Sequence, residues 1–327
     1  MSRIITKTNT GIIVSDTDLN LEYLHVGDYG KENNIKADFL GYTKRIEKVE
    51  HKPVDITDKL VVTVSTQKGC PMRCNFCDCP KFGFKGNLSQ WELISEITTA
   101  ISLSKIHKGK RLNVHFARMG EPSFNFDVIK AAEIIGNNMV DGVFEEYHPV
   151  VSTMLPSNNL KLFTFLTEWV SLGKIAEWNG GLGLQFSINT LDEEERQKMF
   201  NGMSLPLDVI SNMIYLLPDP IEAGLGRKYT LNFAVTSNSD LDVIKMNKLF
   251  DKKKCIVKIT PIHETHTAVS NDYEIVKDFD VYEKFEKPLV EDGWDVIVFV
   301  PSQEEDSDRI TCGNALIANG RNNRIAR

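Results

Sequence analysis

Apolar and polar positions along the chain follow two rhythms. Near the start they alternate singly. In IITKTNTGIIVS two apolar runs flank Asn9-Thr10-Gly11, which predicts a hairpin. LNLEYLHVG reads as a half-buried strand. Residues 1–57 are therefore expected to form a small β-rich N-terminal extension. From Leu60 the rhythm changes. The strand KLVVTVST leads through a cysteine-rich loop into LSQWELISEITTAISLSK, which has helical apolar spacing and Ser89 as its N-cap. Strand and helix then follow each other in turn: LNVHFARMG with FDVIKAAEIIGNNM, HPVVSTML with NLKLFTFLTEWVSL, and LGLQFSINT with DEEERQKMF and PLDVISNMIYLL. KYTLNFAVTS with DLDVIKMNKLFD and a sixth strand, CIVKITPI, complete the series. Such alternation specifies βαβ units and a parallel sheet. The fold class is α/β, a partial (β/α)6 TIM-like barrel over residues 58–300, with its site at the C-terminal ends of the strands. Beyond the sixth strand come a helix and the strand WDVIVFV, and residues 301–327 form a C-terminal segment carrying Cys312.

Composition narrows the classes. The chain has 327 residues, 42% of them hydrophobic, enough for a sizeable core. It has no apolar run of about 18 residues and no N-terminal apolar leader, so a cytoplasmic protein without membrane contact is expected. A net charge of −7 lacks the basic surplus of a dedicated nucleic-acid binder. The lysines at 252–254 read as a solvated helix end.

The chemistry concentrates in KGCPMRCNFCDCP, which holds four of the six cysteines. Cys70, Cys74 and Cys77 have the spacing C-x3-C-x2-C directly after a strand. Three thiolates on one loop can each bind one iron of a 4Fe–4S cluster and leave the fourth iron open. A structural zinc site usually wants four ligands in paired C-x2-C or C-x2-C/H-x3-H spacing, and no second pair with that spacing exists in the sequence.

This spacing, with Phe76 before the third cysteine, resembles the radical S-adenosylmethionine (SAM) superfamily. The resemblance narrows to the RNA adenine C-methyltransferases and their antibiotic-resistance relatives. Gln67, Gly69, Gly83, Phe84, Asn87 and Leu88 fall into register with their cluster loop. MGEPSFN, VVSTMLP, LQFSINTLDEEER and DSDRITCGNAL resemble their later motifs in order. The resemblance implies a radical SAM barrel, a 4Fe–4S cluster on Cys70, Cys74 and Cys77, and SAM on the open iron. It implies a SAM site built by Met119, Gly120, Glu121 and Pro122, with Glu121 receiving the SAM ammonium group. Ser152, Ser187, Asn189, His263 and Phe76 would complete that site. It also implies that Cys312 is methylated by one SAM, loses hydrogen to a radical formed from a second, and delivers the carbon to an electron-poor sp² ring carbon. A weaker reading pairs His263 and His266 on a metal.

Two departures from the family pattern stand out. The resembled enzymes carry a resolving cysteine seven residues before the first cluster cysteine, and here that residue is Thr63. A hydroxyl forms no disulfide, which makes Cys79 the nearest thiol for resolution. Glu50 could act as a base toward a ring carbon. Cys255, at a strand start, reads as core. The family's helical accessory domain is replaced by the β-rich extension. The expected substrate is accordingly a nucleotide, a nucleic-acid base or a small heteroaromatic molecule, and the expected electron donor a flavodoxin or ferredoxin. The competing readings are hydrogen abstraction from a different small molecule, with Cys312 structural, and a non-catalytic protein stapled by the cluster.

Overall fold

The computed structural model describes residues 3–8, 11–16, 18–19, 21–27, 55–138, 142–175, 178, 181–274, 276 and 278–298. Glu50, Cys312 and the 301–327 segment lie outside the described residues.

One ten-stranded sheet organises the chain. Strands β1 (Arg3–Lys7), β2 (Gly11–Asp16) and β3 (Leu21–Gly27) pair antiparallel, as the hairpin pattern predicts. β3 pairs antiparallel with β4 (Lys59–Val64), so the N-terminal extension continues the main sheet. Within this sheet every pairing from β4 onward is parallel, through β7 (Gly109–Phe116), β8 (Phe144–Thr153), β9 (Gly183–Ser187), β10 (Tyr229–Val235) and β11 (Cys255–Pro261). WDVIVFV contributes β12 (Val296–Val298), a seventh parallel strand beside β11. A small hairpin of β5 (Gln67–Gly69) and β6 (Phe84–Asn87) brackets the cysteine loop and was not legible in the apolar pattern.

The helices are α1 (Gln90–Ser104), α2 (Asp127–Asn138), α3 (Leu162–Ser171), α4 (Glu193–Met199), α5 (Leu207–Leu216), α6 (Val243–Leu249) and α7 (His266–Ser270), followed by a helical stretch over 278–291. Ser89 caps α1 as predicted, in a reciprocal capping box with Glu92. No helix among the described residues is long and apolar enough to cross a membrane.

The strands of a sheet covered on both faces are near-continuous apolar runs. Here β4, β10 and β11 alternate buried with half-buried residues. Leu60, Val62, Val64, Val114, Phe116, Phe186, Leu231, Phe233, Val257 and Ile259 form one apolar face, packed in a single core with helix residues such as Leu93, Ile97, Phe165, Trp169 and Ile210. The opposite face is polar. It carries Thr63 and His115 in one register, and Ser187, Asn232 and Lys258 in another. Trp169 of α3 anchors a helix to this sheet. It is fully buried, lies edge-on to Phe116 at 6.0 Å, and donates its Nε1–H to the Gly183 carbonyl at 3.0 Å. Replacing it (Trp169→Phe) removes volume and leaves that carbonyl without its donor. The expected loss is about 2–4 kcal/mol, read from the urea unfolding midpoint.

Candidate active site

The cysteine loop leaves the C-terminal end of β4 and is held from three sides. Its own hairpin closes through Cys70 N–H, which donates to the Gly83 carbonyl at 3.0 Å. Gly69 has φ +80°, and a Cβ there would lie 1.8 Å from that carbonyl oxygen, so only glycine fits. From the second side α4 grips the loop. Asn75 donates its backbone N–H to Met199 and its side-chain amide to Lys198, at 2.8 and 2.6 Å. Phe76 packs edge-on against Phe200 at 5.7 Å.

The third side is α7 and the turn before it. Asp78 lies between two cysteines and is fully buried. It accepts from His266 N–H at 3.1 Å, Thr267 N–H at 3.0 Å, Thr267 Oγ1 at 2.6 Å and Lys81 Nζ at 2.7 Å. Burial opposes its charge, but the bonds from Lys81 and Thr267 hold the carboxyl below its usual range. Thr265 Oγ1 donates to the Phe76 carbonyl at 2.7 Å.

Within the loop, Cys70, Cys74 and Cys77 are half-buried and free of disulfides. Burial pushes the Cys74 thiol well up, and the nearby Cys77, Cys70 and Glu121 add to the shift. Cys79 is buried against Met119, with Cys70, Cys77 and Phe82 around it. Its hydrogen bond to the Cys77 sulfur draws that thiol down, against the effect of burial. Cys255 lies in the core, and burial pushes its thiol up to about 12. Among the described residues no three Cys, His, Asp or Glu side chains could together hold one metal ion. Thiolates that each bind a different iron of a cube are spread wider than the ligands of a single ion.

Glu121 follows β7 on a turn locked to the cysteine loop. The Met119 carbonyl accepts from Thr66 and Gln67 N–H, at 2.8 and 3.3 Å. Glu121 N–H donates to Gln67 Oε1 at 2.8 Å, and Gln67 Nε2 donates to Asn87 at 2.8 Å. Gly120 has φ +96°, and a Cβ there would meet Gln67 at 2.6 Å. The Glu121 carboxylate is 3% exposed and accepts from Ser123 and Met154 N–H, at 3.1 and 2.9 Å. Burial raises its pKa, while bonds from Thr153, Ser123 and Met154 restrain the rise.

Ser152 donates to Gln185 Oε1 at 3.1 Å, and Asn232 shares that acceptor at 2.9 Å. Asn189 sits at φ +68° with Oδ1 accepting from Ala234 N–H at 3.1 Å. Among the described residues its buried Nδ2 has no partner, and neither does Asn232 Oδ1. These orphaned polar atoms fit a polar ligand at the strand ends. His263 follows β11, and its carbonyl accepts from Thr265 N–H at 2.8 Å. Pro122 is buried in the turn beside Glu121.

Sequence reading missed Asp78 and Arg196 as structural residues. Arg196, in register with the last position of the LQFSINTLDEEER motif, is fully buried. It donates to the carbonyls of Ile188, Leu205 and Ser187 and to Ser204 Oγ. Burial lowers it to about 10. The lower part of the polar face is cationic, which no motif signalled. Lys59 is drawn down to about 8 by burial and by Arg111, Arg227 and Lys258. Burial and Lys258, Arg227 and Lys59 draw His115 down to about 3, so it is neutral at pH 7. Arg111 pairs with Glu146 at 2.6 Å.

This architecture resembles the fold of a solved radical SAM methyltransferase. The structure of such an enzyme from Sphaerobacter thermophilus superposes with a TM-score of 0.61 at 17% identity, over 96% of this chain and 80% of that one. In sequence the chain is similar to the dual-specificity RNA methyltransferase RlmN of Nautilia profundicola, 32% identical over 143 residues. That match covers 43% of this chain and 36% of the relative. It is also similar to the probable dual-specificity RNA methyltransferase RlmN of Pseudothermotoga lettingae, 26% identical over 212 residues, covering 62% of this chain and 54% of the relative. The chain thus matches between 36% and 54% of the length of these relatives. No family model matches it. These likenesses bear out the α/β fold and the resemblance read from the cysteine loop.

Asp78 is the strut of the site. Replacing it with asparagine keeps the shape but removes the charge that four donors share. Asp78→Asn is expected to lower stability by about 2–3 kcal/mol and to reduce iron uptake, as read by thermal melting and iron analysis of the reconstituted protein.

Proposed function

We propose that this chain is a radical SAM enzyme that methylates an sp² carbon of a nucleobase-like heteroaromatic substrate. The observation that carries the reading is the C-x3-C-x2-C loop bonded, through Thr66 and Gln67, to the turn presenting the buried Glu121. Cys70, Cys74 and Cys77 would hold three irons of a 4Fe–4S cluster and leave the fourth to SAM. When bound and reduced by a flavodoxin- or ferredoxin-type donor, the cluster and SAM supply a carbon-centred radical able to abstract hydrogen. Glu121 accepts the SAM ammonium group in a charge-assisted bond. Ser152, Ser187 and Asn189 would offer hydrogen bonds to its carboxylate and ribose, and His263 would contact the adenosine. Cys312 is the methyl carrier in this reading, and Glu50 a base toward the ring carbon. The relatives named as RNA methyltransferases support RNA as one substrate class.

Thr63 favours a second reading, hydrogen abstraction from another molecule, because a hydroxyl cannot resolve a protein–substrate adduct as a disulfide. Cys79 is the thiol nearest the cluster loop, and a role in resolution requires it to leave its packing against Met119. Mass spectrometry of the purified protein separates the readings. The methylase should carry a methyl group on Cys312 and release both S-adenosylhomocysteine and 5′-deoxyadenosine. Release of 5′-deoxyadenosine alone, with Cys312→Ala still active, excludes the methylase. Cys74→Ala is expected to abolish the iron–sulfur absorbance and all SAM cleavage.

A further inference from the structure

We infer that Glu22, on β3 of the N-terminal extension, is a positioning residue for the Glu121 turn and so for SAM. The SAM part of this inference rests on the proposed function; the positioning of the turn does not. Arg118 is the residue before Met119, at the entry to that turn. Its Nη2 lies 2.6 Å from Glu22 Oε1, with the two side chains 5% and 0% exposed. Its backbone N–H donates to the Val64 carbonyl at 3.0 Å, at the end of β4. Glu22 also holds β4 from the other side: its carbonyl accepts from Ser65 Oγ at 2.5 Å, while Ser65 N–H donates to the buried carboxylate of Glu96 at 2.9 Å.

The turn is therefore pinned at both ends. Gln67 fixes the Glu121 end through the backbone N–H, and the Glu22–Arg118 pair fixes the entry. Inside, Gly120 packs so closely on Gln67 that the turn has little freedom to absorb a shift. A buried ion pair is directional in a way apolar packing is not. Removing one partner leaves a charge in a dry site, and that charge moves toward water. Arg118 belongs to the turn's own backbone, so its movement displaces Met119 to Glu121. The extension is thus part of the site, supplying the acid that sets the carboxylate on the turn after β7, two strands away.

The test uses full-length, cluster-reconstituted protein. In Glu22→Gln, amide hydrogen exchange is expected to rise in residues 118–124 while the rest of the sheet keeps its protection. SAM affinity, by equilibrium dialysis, should fall about tenfold, as when an outer-shell partner is lost. Iron content should stay unchanged, and the shift of the reduced-cluster EPR spectrum on adding SAM should shrink. The double variant E22L/R118M removes both charges. It should regain the melting temperature yet keep the weakened SAM binding. Wild-type SAM affinity in Glu22→Gln overturns the inference, as does exchange that rises equally over the whole sheet. If the wild-type protein binds no SAM, the proposed function falls and the exchange pattern alone decides whether Glu22 positions the turn.

Discussion

The Asp78 carboxylate ties the loop after β4 to the helix after β11. β4 and β11 are five steps apart in the sheet. At roughly 4.8 Å per step a flat sheet would separate them by about 24 Å. Yet the loop after β4 and the helix after β11 meet through bonds of 2.6–3.1 Å at Asp78, across 188 residues or more of chain. The sheet must curl for that contact to form. Among the described residues no strand pairing closes the curl, so closure falls to this side-chain cap at the C-terminal ends of the strands. A buried carboxylate is tolerable there because several donors converge on it.

The placement of the clamp has a chemical consequence. Asp78 separates Cys77 from Cys79, so the residue that closes the fold belongs to the loop that carries the cluster spacing. Thr265 adds a bond to the Phe76 carbonyl from the same turn that carries His263. The cysteine loop and the turn after β11 are thus bonded to each other. The Glu121 turn is joined to them by Thr66 and Gln67, on the neighbouring strand. Three segments distant in sequence form a rigid rim, and the polar face of the sheet lies beneath it.

That polar face differs from the interior of a closed eight-stranded barrel, which side chains fill in layers. Here the strands keep Thr63, His115, Ser152, Gln185, Asn232 and Lys258 on the side opposite the helices. Several of these atoms bond one another, as Ser152 and Asn232 do through Gln185. Among the described residues, Asn189 Nδ2 and Asn232 Oδ1 keep hydrogen-bonding capacity without a partner. Toward the N-terminal ends of the strands the face turns cationic, and mutual repulsion together with burial keeps His115 neutral.

Most of the fold was legible locally. Period-two alternation marked the strands because one face of the sheet stays polar, and helical spacing with the Ser89–Glu92 box marked α1. The cysteine spacing and the Gly-Glu-Pro turn were legible as short contiguous motifs, although the contacts that demand Gly69 and Gly120 come from Gly83 and Gln67, distant in sequence. The β5–β6 hairpin was missed because its three- and four-residue strands are too short for a period to register. Asp78, Arg196 and the Glu22–Arg118 pair were missed for a different reason. Asp78 and the Glu22–Arg118 pair meet partners far away in sequence, Arg196 meets carbonyls eight or nine residues away, and in each case the charged residue itself carries no mark of burial. The sequence by itself determined the elements, their parallel order and the thiolate chemistry, because each follows from residues within a few positions of one another. The tertiary structure decided which buried charges hold those elements in register, because burial and pairing exist only once distant strands have met.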